Sequence, residues 1–344
     1  MRRLAGLLLI AAFAAFAHGA VGNSTPRAQP SATSDGGWIV FQRIDPRIGK
    51  ARVYRIRPDG TGPQAISNPP ENAAEDGQPD SSPDGTKIVF HRPYKDGRPD
   101  SLIVANADGS DPHDVTQANC TGNCLGSEQP AWSPDGTRIA FSRALGPVPP
   151  DGPPPVIGIF VMNADGSNVQ QLTQPTANTG TEDHTPSWSP DSRRIAFMRA
   201  NNTRRPENAS SIYVVGTDGS NLTRIRRMPR RWPGSGVPKW SPDGRRILFD
   251  TYCLFGKCGQ PSTGTQLFTI RPDGTGLRKL TNLPGNSYDG SWSPSGRSIV
   301  FSRNRRVGPT GDLYVMRGAG AHLRRLTQAP RRDSHNPDWA PPHR

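Results

Sequence analysis

One phrase returns along this chain at a nearly constant interval, and that interval constrains the fold more than any other feature. Pro130-Ala131-Trp132-Ser133-Pro134-Asp135-Gly136 recurs as Pro186-Ser187-Trp188-Ser189-Pro190-Asp191-Ser192 and as Pro238-Lys239-Trp240-Ser241-Pro242-Asp243-Gly244. Looser copies fall at Pro79 to Gly85, Gly290 to Gly296 and Pro337 to Pro342. The second proline of the phrase stands at 83, 134, 190, 242, 294 and 341, so the spacings are 51, 56, 52, 52 and 47 residues. A second phrase lies between the copies. It reads Phe160-Val161-Met162-Asn163-Ala164-Asp165-Gly166-Ser167-Asn168 and then Leu172-Thr173, with counterparts at Asp59-Gly60, Asp108-Gly109, Asp218-Gly219, Asp273-Gly274 and Gly318-Ala319-Gly320. A fixed period of this kind is one supersecondary unit stacked on itself, and its length suits propeller blades of roughly 40 to 50 residues.

Each unit spells four short strands. Pro-x-Trp-Ser is the first, and Pro-Asp-Gly turns the chain because Pro presets φ while Asp and Gly tolerate positive φ. The second strand follows, as in Arg138-Ile139-Ala140-Phe141-Ser142, and a variable loop leads to the third, as in Ser211-Ile212-Tyr213-Val214-Val215. The Asp-Gly turn of the second phrase precedes a fourth strand ending in Leu-Thr, as at Leu280-Thr281. Apolar residues run consecutively in strands two and three, so both faces are buried. The expected fold is all-β, a six-bladed propeller with four-stranded blades. Trp132, Trp188, Trp240, Trp292 and Trp339 share one phase of the repeat and are expected between blades. The chain's first strand, Trp38-Ile39-Val40-Phe41, has the pattern of a second strand, and Pro337-Asp338-Trp339-Ala340-Pro341 that of a first strand. Strands from both termini therefore complete one blade, and closure removes the open edges of the ring.

The two linked phrases resemble the TolB-type, WD-like (PD40-type) propeller repeat over residues 37–341. The resemblance implies the propeller fold. It implies little about chemistry, because the repeated Trp, Pro, Asp and Gly are turn and packing residues. TolB proper also carries an α/β domain ahead of its propeller, so the expectation here is a propeller standing without that domain. Departures from the repeat are Ser81 for the Trp, Ser295 for the Asp, and Gly318-Ala319-Gly320 for Asp-Gly.

The N-terminus reads as an export signal. Met1-Arg2-Arg3 is followed by an apolar run from Leu4 to Ala17, too short for a permanent membrane span, which predicts a signal peptide over 1–20. Residues 21–36, rich in Pro, Ser, Thr and Gly, read as a flexible linker. The expected location is periplasmic or extracellular. In that setting the close pairs Cys120/Cys124 and Cys253/Cys258 read as two disulfides. The net charge of +13 favours anionic partners such as a cell-wall polymer, alongside an envelope protein, and a monomer is expected. Nucleic acid is not an expected partner of an exported chain without a recognition motif.

The loops leading into the first strands hold the candidate site. They carry Glu75-Asp76, Glu128, Glu182-Asp183-His184, Asp289 and Asp333-Ser334-His335 at equivalent places of the repeat. Radial symmetry places Asp76, Glu128, Asp183, His184, Asp289, Asp333 and His335 around one opening, a ligand-binding rim. His184, His335 and Asp183 are the candidate ligands of a divalent cation in the channel, because neutral imidazole adds nitrogen to an oxygen set. No Gly-x-Ser-x-Gly elbow, His-Glu-x-x-His or phosphate-binding glycine loop occurs in the chain. The reading is an exported binding scaffold. Its alternative is a metal-dependent propeller enzyme, lyase- or hydrolase-like, working at the same rim.

Overall fold

The computed structural model describes residues 35–146, 156–175, 180–201, 210–226, 234–252, 264–305, 311–318, 320–328 and 333–342. The signal peptide, most of the linker, and Cys253 with Cys258 lie outside the described residues. Among the described residues are six four-stranded antiparallel sheets, and Gln117–Asn119 is the one short 3-10 helix. Each sheet is one meander. In blade 1 the strands run Gly77–Ser81, Lys87–Arg92, Ser101–Asn106 and His113–Asp114 from the innermost outward. The innermost strands of blades 2 to 5 are Cys124–Trp132, Thr181–Trp188, Gly234–Trp240 and Asn286–Trp292. Blade 6 is assembled from both ends, as the sequence predicts. Ser334–Trp339 is its innermost strand and pairs with Ile39–Asp45, in the register Ile39 to Trp339 and Arg43 to Ser334.

No blade has a core of its own. The buried apolar residues fall into six clusters, each shared by two neighbouring blades. Val89, Leu102 and Val104 of blade 1, for example, pack on Trp132, Ile139, Phe141 and Phe160 of blade 2. The repeat makes this possible because strands two and three bury both faces. The second-strand phenylalanines Phe41, Phe90, Phe141, Phe197, Phe249 and Phe301 are all at most 1% exposed. The indoles of Trp132, Trp188, Trp240 and Trp339 are buried between blades as expected, and Trp292 packs partly buried at the seam of blades 4 and 5. The Asp-Gly turns also touch the neighbouring blade. Gly166, at φ +88°, lies so close that a Cβ would stand 2.3 Å from the carbonyl oxygen of Val115, so this turn admits only glycine.

Cys120 and Cys124 form a disulfide across the loop leading into blade 2, with Cα atoms 5.1 Å apart. No helix of the described residues is long and apolar enough to cross a membrane.

Candidate functional site

Every innermost strand breaks its pairing at the same place. The register shifts between Gly77 and Asp80, Glu128 and Ala131, His184 and Ser187, Gly236 and Lys239, and Tyr288 and Ser291, and again opposite Val40 and Gln42 in blade 6. At each bulge one residue takes a left-handed backbone: Gln78 (φ 50°), Gln129 (55°), Thr185 (52°), Val237 (37°), Asp289 (51°) and Asn336 (50°). This backbone costs about 1–2 kcal/mol for a non-glycine residue, and Thr185 and Val237 are β-branched, the least suited to it. Proline follows in five of the six, and Gly290 in blade 5. These residues line a cavity of about 230 Å³ on the ring axis, with Lys239 and Asp289 as its charged members.

The bulges consume five of the six backbone donors at this point of the inner edge. The N–H of Gln129 donates to Gln78 Oε1 (3.0 Å), and that of Thr185 to Gln129 Oε1 (2.9 Å), each from one blade to the next. Asn336 N–H reaches Asp289 Oδ2 (3.3 Å). In blades 5 and 1, where the preceding bulge residue is Val237 or Asn336, the second strand of the preceding blade substitutes: Asp250 Oδ2 accepts Asp289 N–H (3.0 Å) and Gln42 Oε1 accepts Gln78 N–H (3.2 Å). The prolines carry no N–H at all. The backbone of the channel wall is therefore poor in free donors, and Asp289 is the carboxylate among its lining residues.

A second layer lies one residue deeper, in the slot between Pro and Trp. It holds Asp80, Ala131, Ser187, Lys239, Ser291 and Asp338. Lys239 of blade 4 reaches Asp80 of the opposite blade 1 at 3.0 Å, so its side chain crosses the channel. Asp80 also accepts the N–H of Trp132 (2.7 Å), while Asp338 accepts the N–H of Ser81 and the hydroxyl of Ser291, both at 3.1 Å. Burial pushes the Asp80 carboxyl up to about 6, against the pull of Lys239. Burial works against the Lys239 charge, but Asp80 and Asp338 outweigh it and raise its pKa. The chain thus places its own ammonium in the deeper layer.

The residues expected at the rim divide into two groups. Asp76 and Asp183 are fully buried and turned into their blades, each gripped by a guanidinium: Arg92 on Asp76 (2.6 and 3.0 Å) and Arg199 on Asp183 (2.6 and 2.7 Å). Their partners sit on the adjacent strand, stacked over Phe90 and Phe197. The other group faces the mouth. His184 stands between Glu182 (Nε2 to Oε2, 3.3 Å) and Glu128 (Nδ1 to Oε1, 3.7 Å). Burial disfavours its charge, but the two carboxylates prevail and push its pKa up to about 9. His335 is paired with Asp333 (3.3 Å), and despite burial this carboxylate and Asp289 raise its pKa. Asp289 is half-buried beside Asp250. Burial and then Asp289 push Asp250 up to about 7. Among the described residues no group of three His, Cys, Asp or Glu side chains is placed to hold a metal ion. The expected ligands Asp183, His184 and His335 are engaged with Arg199, Glu128 and Glu182, and Asp333 respectively.

The sequence carried signals for what the rim reading missed. Asp76–Arg92 and Asp183–Arg199 share a spacing of sixteen residues, and Arg143 reaches Ser127 at the same spacing in blade 2 (3.0 Å). Lys239 occupies the variable slot inside an otherwise constant phrase.

With this geometry in hand, relatives are informative. The chain is 26% identical over 219 residues to the uncharacterized peptidase YuxL of Bacillus subtilis, covering 54% of this chain and 31% of that protein. It is 35% identical over 102 residues to the Tol-Pal system protein TolB of Anaeromyxobacter dehalogenans, covering 30% of this chain and 21% of the relative. The chain thus spans a third or less of the curated relatives it matches. The crystal structure of TolB from Acinetobacter baumannii superposes with a TM-score of 0.64 at 18% identity, over 89% of this chain and 67% of that one, a likeness of fold. Residues 159–343, more than half of the chain, match the TolB beta propeller domain, and the protein belongs to that family.

Proposed function

We propose that the protein is an exported binding scaffold of the cell envelope, and that it takes a cationic group of a protein partner at the mouth of its channel. The observation that carries this reading is the ring of bulges, whose backbone is poor in free donors. The N–H groups of Gln78, Gln129, Thr185, Asp289 and Asn336 are spent on neighbouring blades, the prolines have none, and Asp289, Glu128, Glu182 and Asp333 stand at or beside the ring. Such a wall offers acceptors and negative charge to a ligand that brings donors. A local potential opposite to the net charge of +13 also concentrates cations at one place on an otherwise basic protein. The rim residues Asp76 and Asp183 support the wall from behind through their arginines. The reading as a metal-dependent enzyme needs neutral imidazoles, whereas His184 and His335 are held by carboxylates that favour the charged form.

Calorimetric titration with a lysine-rich and an arginine-rich peptide tests it, with Mn²⁺ and Zn²⁺ titrated separately. Saturable peptide binding, weakened by salt and at least about tenfold weaker in Asp289→Asn, is expected. Peptide binding that ignores Asp289→Asn and Glu128→Gln/Glu182→Gln would remove the site. Tight metal binding lost in His184→Ala would put the enzymatic reading in its place.

A further inference from the structure

Blade 5 breaks the repeat twice in one turn. In blades 1 to 4 the Ser of the phrase donates its hydroxyl to the turn Asp: Ser82 to Asp84 (2.6 Å), Ser133 to Asp135 (2.7 Å), Ser189 to Asp191 and Ser241 to Asp243 (2.6 Å). The same Asp oxygen accepts the N–H two residues on, from Thr86, Thr137, Arg193 and Arg245. A base follows at the start of the next strand or just before it: Lys87, Arg138, Arg194 or Arg246. In blade 5 the Asp is replaced by Ser295 and the base by Ser298. The turn has lost its carboxylate and gained two hydroxyls.

A carboxylate arrives from elsewhere. Asp35, 260 residues away in sequence, accepts the Ser295 hydroxyl on Oδ1 and the Ser298 hydroxyl on Oδ2 (2.8 Å). Ser298 is buried, and Arg297 lies close enough to favour the charged carboxylate. Ser295 takes over the remaining duty of the turn Asp and accepts the N–H of Arg297 (3.2 Å). The next residue is fixed as well, since Trp339 Nε1 donates to Gly36 O (3.3 Å). A side chain at Gly37 would stand 2.2 Å from the Ala340 carbonyl oxygen, so the backbone lies flat on the closing strand. Trp38 follows, with Arg55 and Arg57 stacked on its ring.

We infer that the Ser295–Ser298 turn of blade 5 is a carboxylate-binding site whose ligand is Asp35, and that residues 35–38 form a strap across the seam of blades 5 and 6. The two departures from the repeat are then one device. Neither hydroxyl restores the lost negative charge, and together they receive both oxygens of one carboxylate. The strap attaches the segment entering the closing blade to its neighbour, on the face of the Asp-Gly turns, away from the channel mouth. It goes beyond the proposed function and does not depend on it.

Hydrogen–deuterium exchange of the full chain tests the strap, with Asp35→Ala, Asp35→Asn and Asp35→Ala/Ser295→Asp as variants. Asp35→Ala is expected to speed exchange about tenfold both in residues 36–38 and in the turn 293–298, and to lower the thermal midpoint by about 2–4 °C. Asp35→Asn keeps the shape without the charge and is expected between the two. Ser295→Asp restores a carboxylate within the turn. The double variant is therefore expected to protect 293–298 again while 36–38 remain fast. Unchanged exchange in Asp35→Ala, or recovery of 36–38 in the double variant, would overturn the proposal.

Discussion

Buried Asp250 and half-buried Asp289 form a carboxylate pair at a position where five blades carry other chemistry. The equivalent of Asp250 is Gln42, His91, Ser142, Met198 and Ser302 in the other second strands. Asp250 is 4% exposed and accepts the N–H of Asp289. Burial, and secondly Asp289, raise its pKa to about 7, while an unfolded Asp titrates near 4. A raised acid binds its proton more tightly in the folded state. Its contribution to stability is fully present below about pH 4 and is lost as pH rises through about 7. Asp250→Asn keeps an acceptor for Asp289 and removes the titration. Its melting temperature should match the native protein near pH 4 and exceed it by a few degrees at pH 8. An offset that stays constant from pH 5 to pH 8 would show that the pair does not titrate in this window. The sequence shows the acid but not its burial, because the neighbour that raises it lies 39 residues away on the next blade.

Strand identity was legible from one repeat unit, whereas the direction of individual side chains was not. The Trp-Ser-Pro-Asp-Gly phrase fixes the first strand and its turn, and the consecutive apolar residues fix strands two and three. The rim acids look alike in sequence, yet Asp76 and Asp183 lie two residues before the bulge and point into the blade, while Asp289 lies on it. The bulge inverts the alternation of the strand, and simple period-two counting passes over it. Loops show the same coupling. Arg143 is pushed down to about 10 by burial, and it holds Asn119 through its carbonyl oxygen (3.3 Å) and Oδ1 (2.6 Å), next to the Cys120–Cys124 bond. The disulfide closes a short loop, so replacing both cysteines with serine should cost only about 2 kcal/mol, the low end of the usual range. Non-reducing mass spectrometry and a melt check the bond and its worth. Two free thiols at Cys120 and Cys124 under oxidising conditions, or a cost of more than about 4 kcal/mol, would contradict this account.

At the scale of the whole molecule the ring has no core except its seams, so closure matters more than any single blade. Removing residues 336–344 takes away Asn336 to Trp339 of the closing strand. The loss spans several systems. Trp339 leaves a cluster that joins Ile39, Phe41, Tyr54 and Ile56 of blade 6 to Val300, Leu313 and Leu326 of blade 5. Ile39–Asp45 becomes an exposed edge, and the bond from Ala340 N–H to Trp38 O (2.8 Å) disappears. The channel layers lose Asp338, which caps Ser81 N–H and Ser291, and the Asn336 bulge. Emptying a buried Trp site alone costs about 3–5 kcal/mol. For a chain of this size that alone corresponds to a midpoint lowered by roughly 5–8 °C. An open stack of repeats would tolerate the change differently, because a terminal unit there supports only one neighbour. In a closed ring both flanking seams loosen, and unfolding should lose its single sharp transition. Deleting residues 343–344 alone serves as the control and should leave the melt unchanged. If the longer deletion melts at the native temperature with native sharpness, Ser334–Trp339 is not what closes the ring.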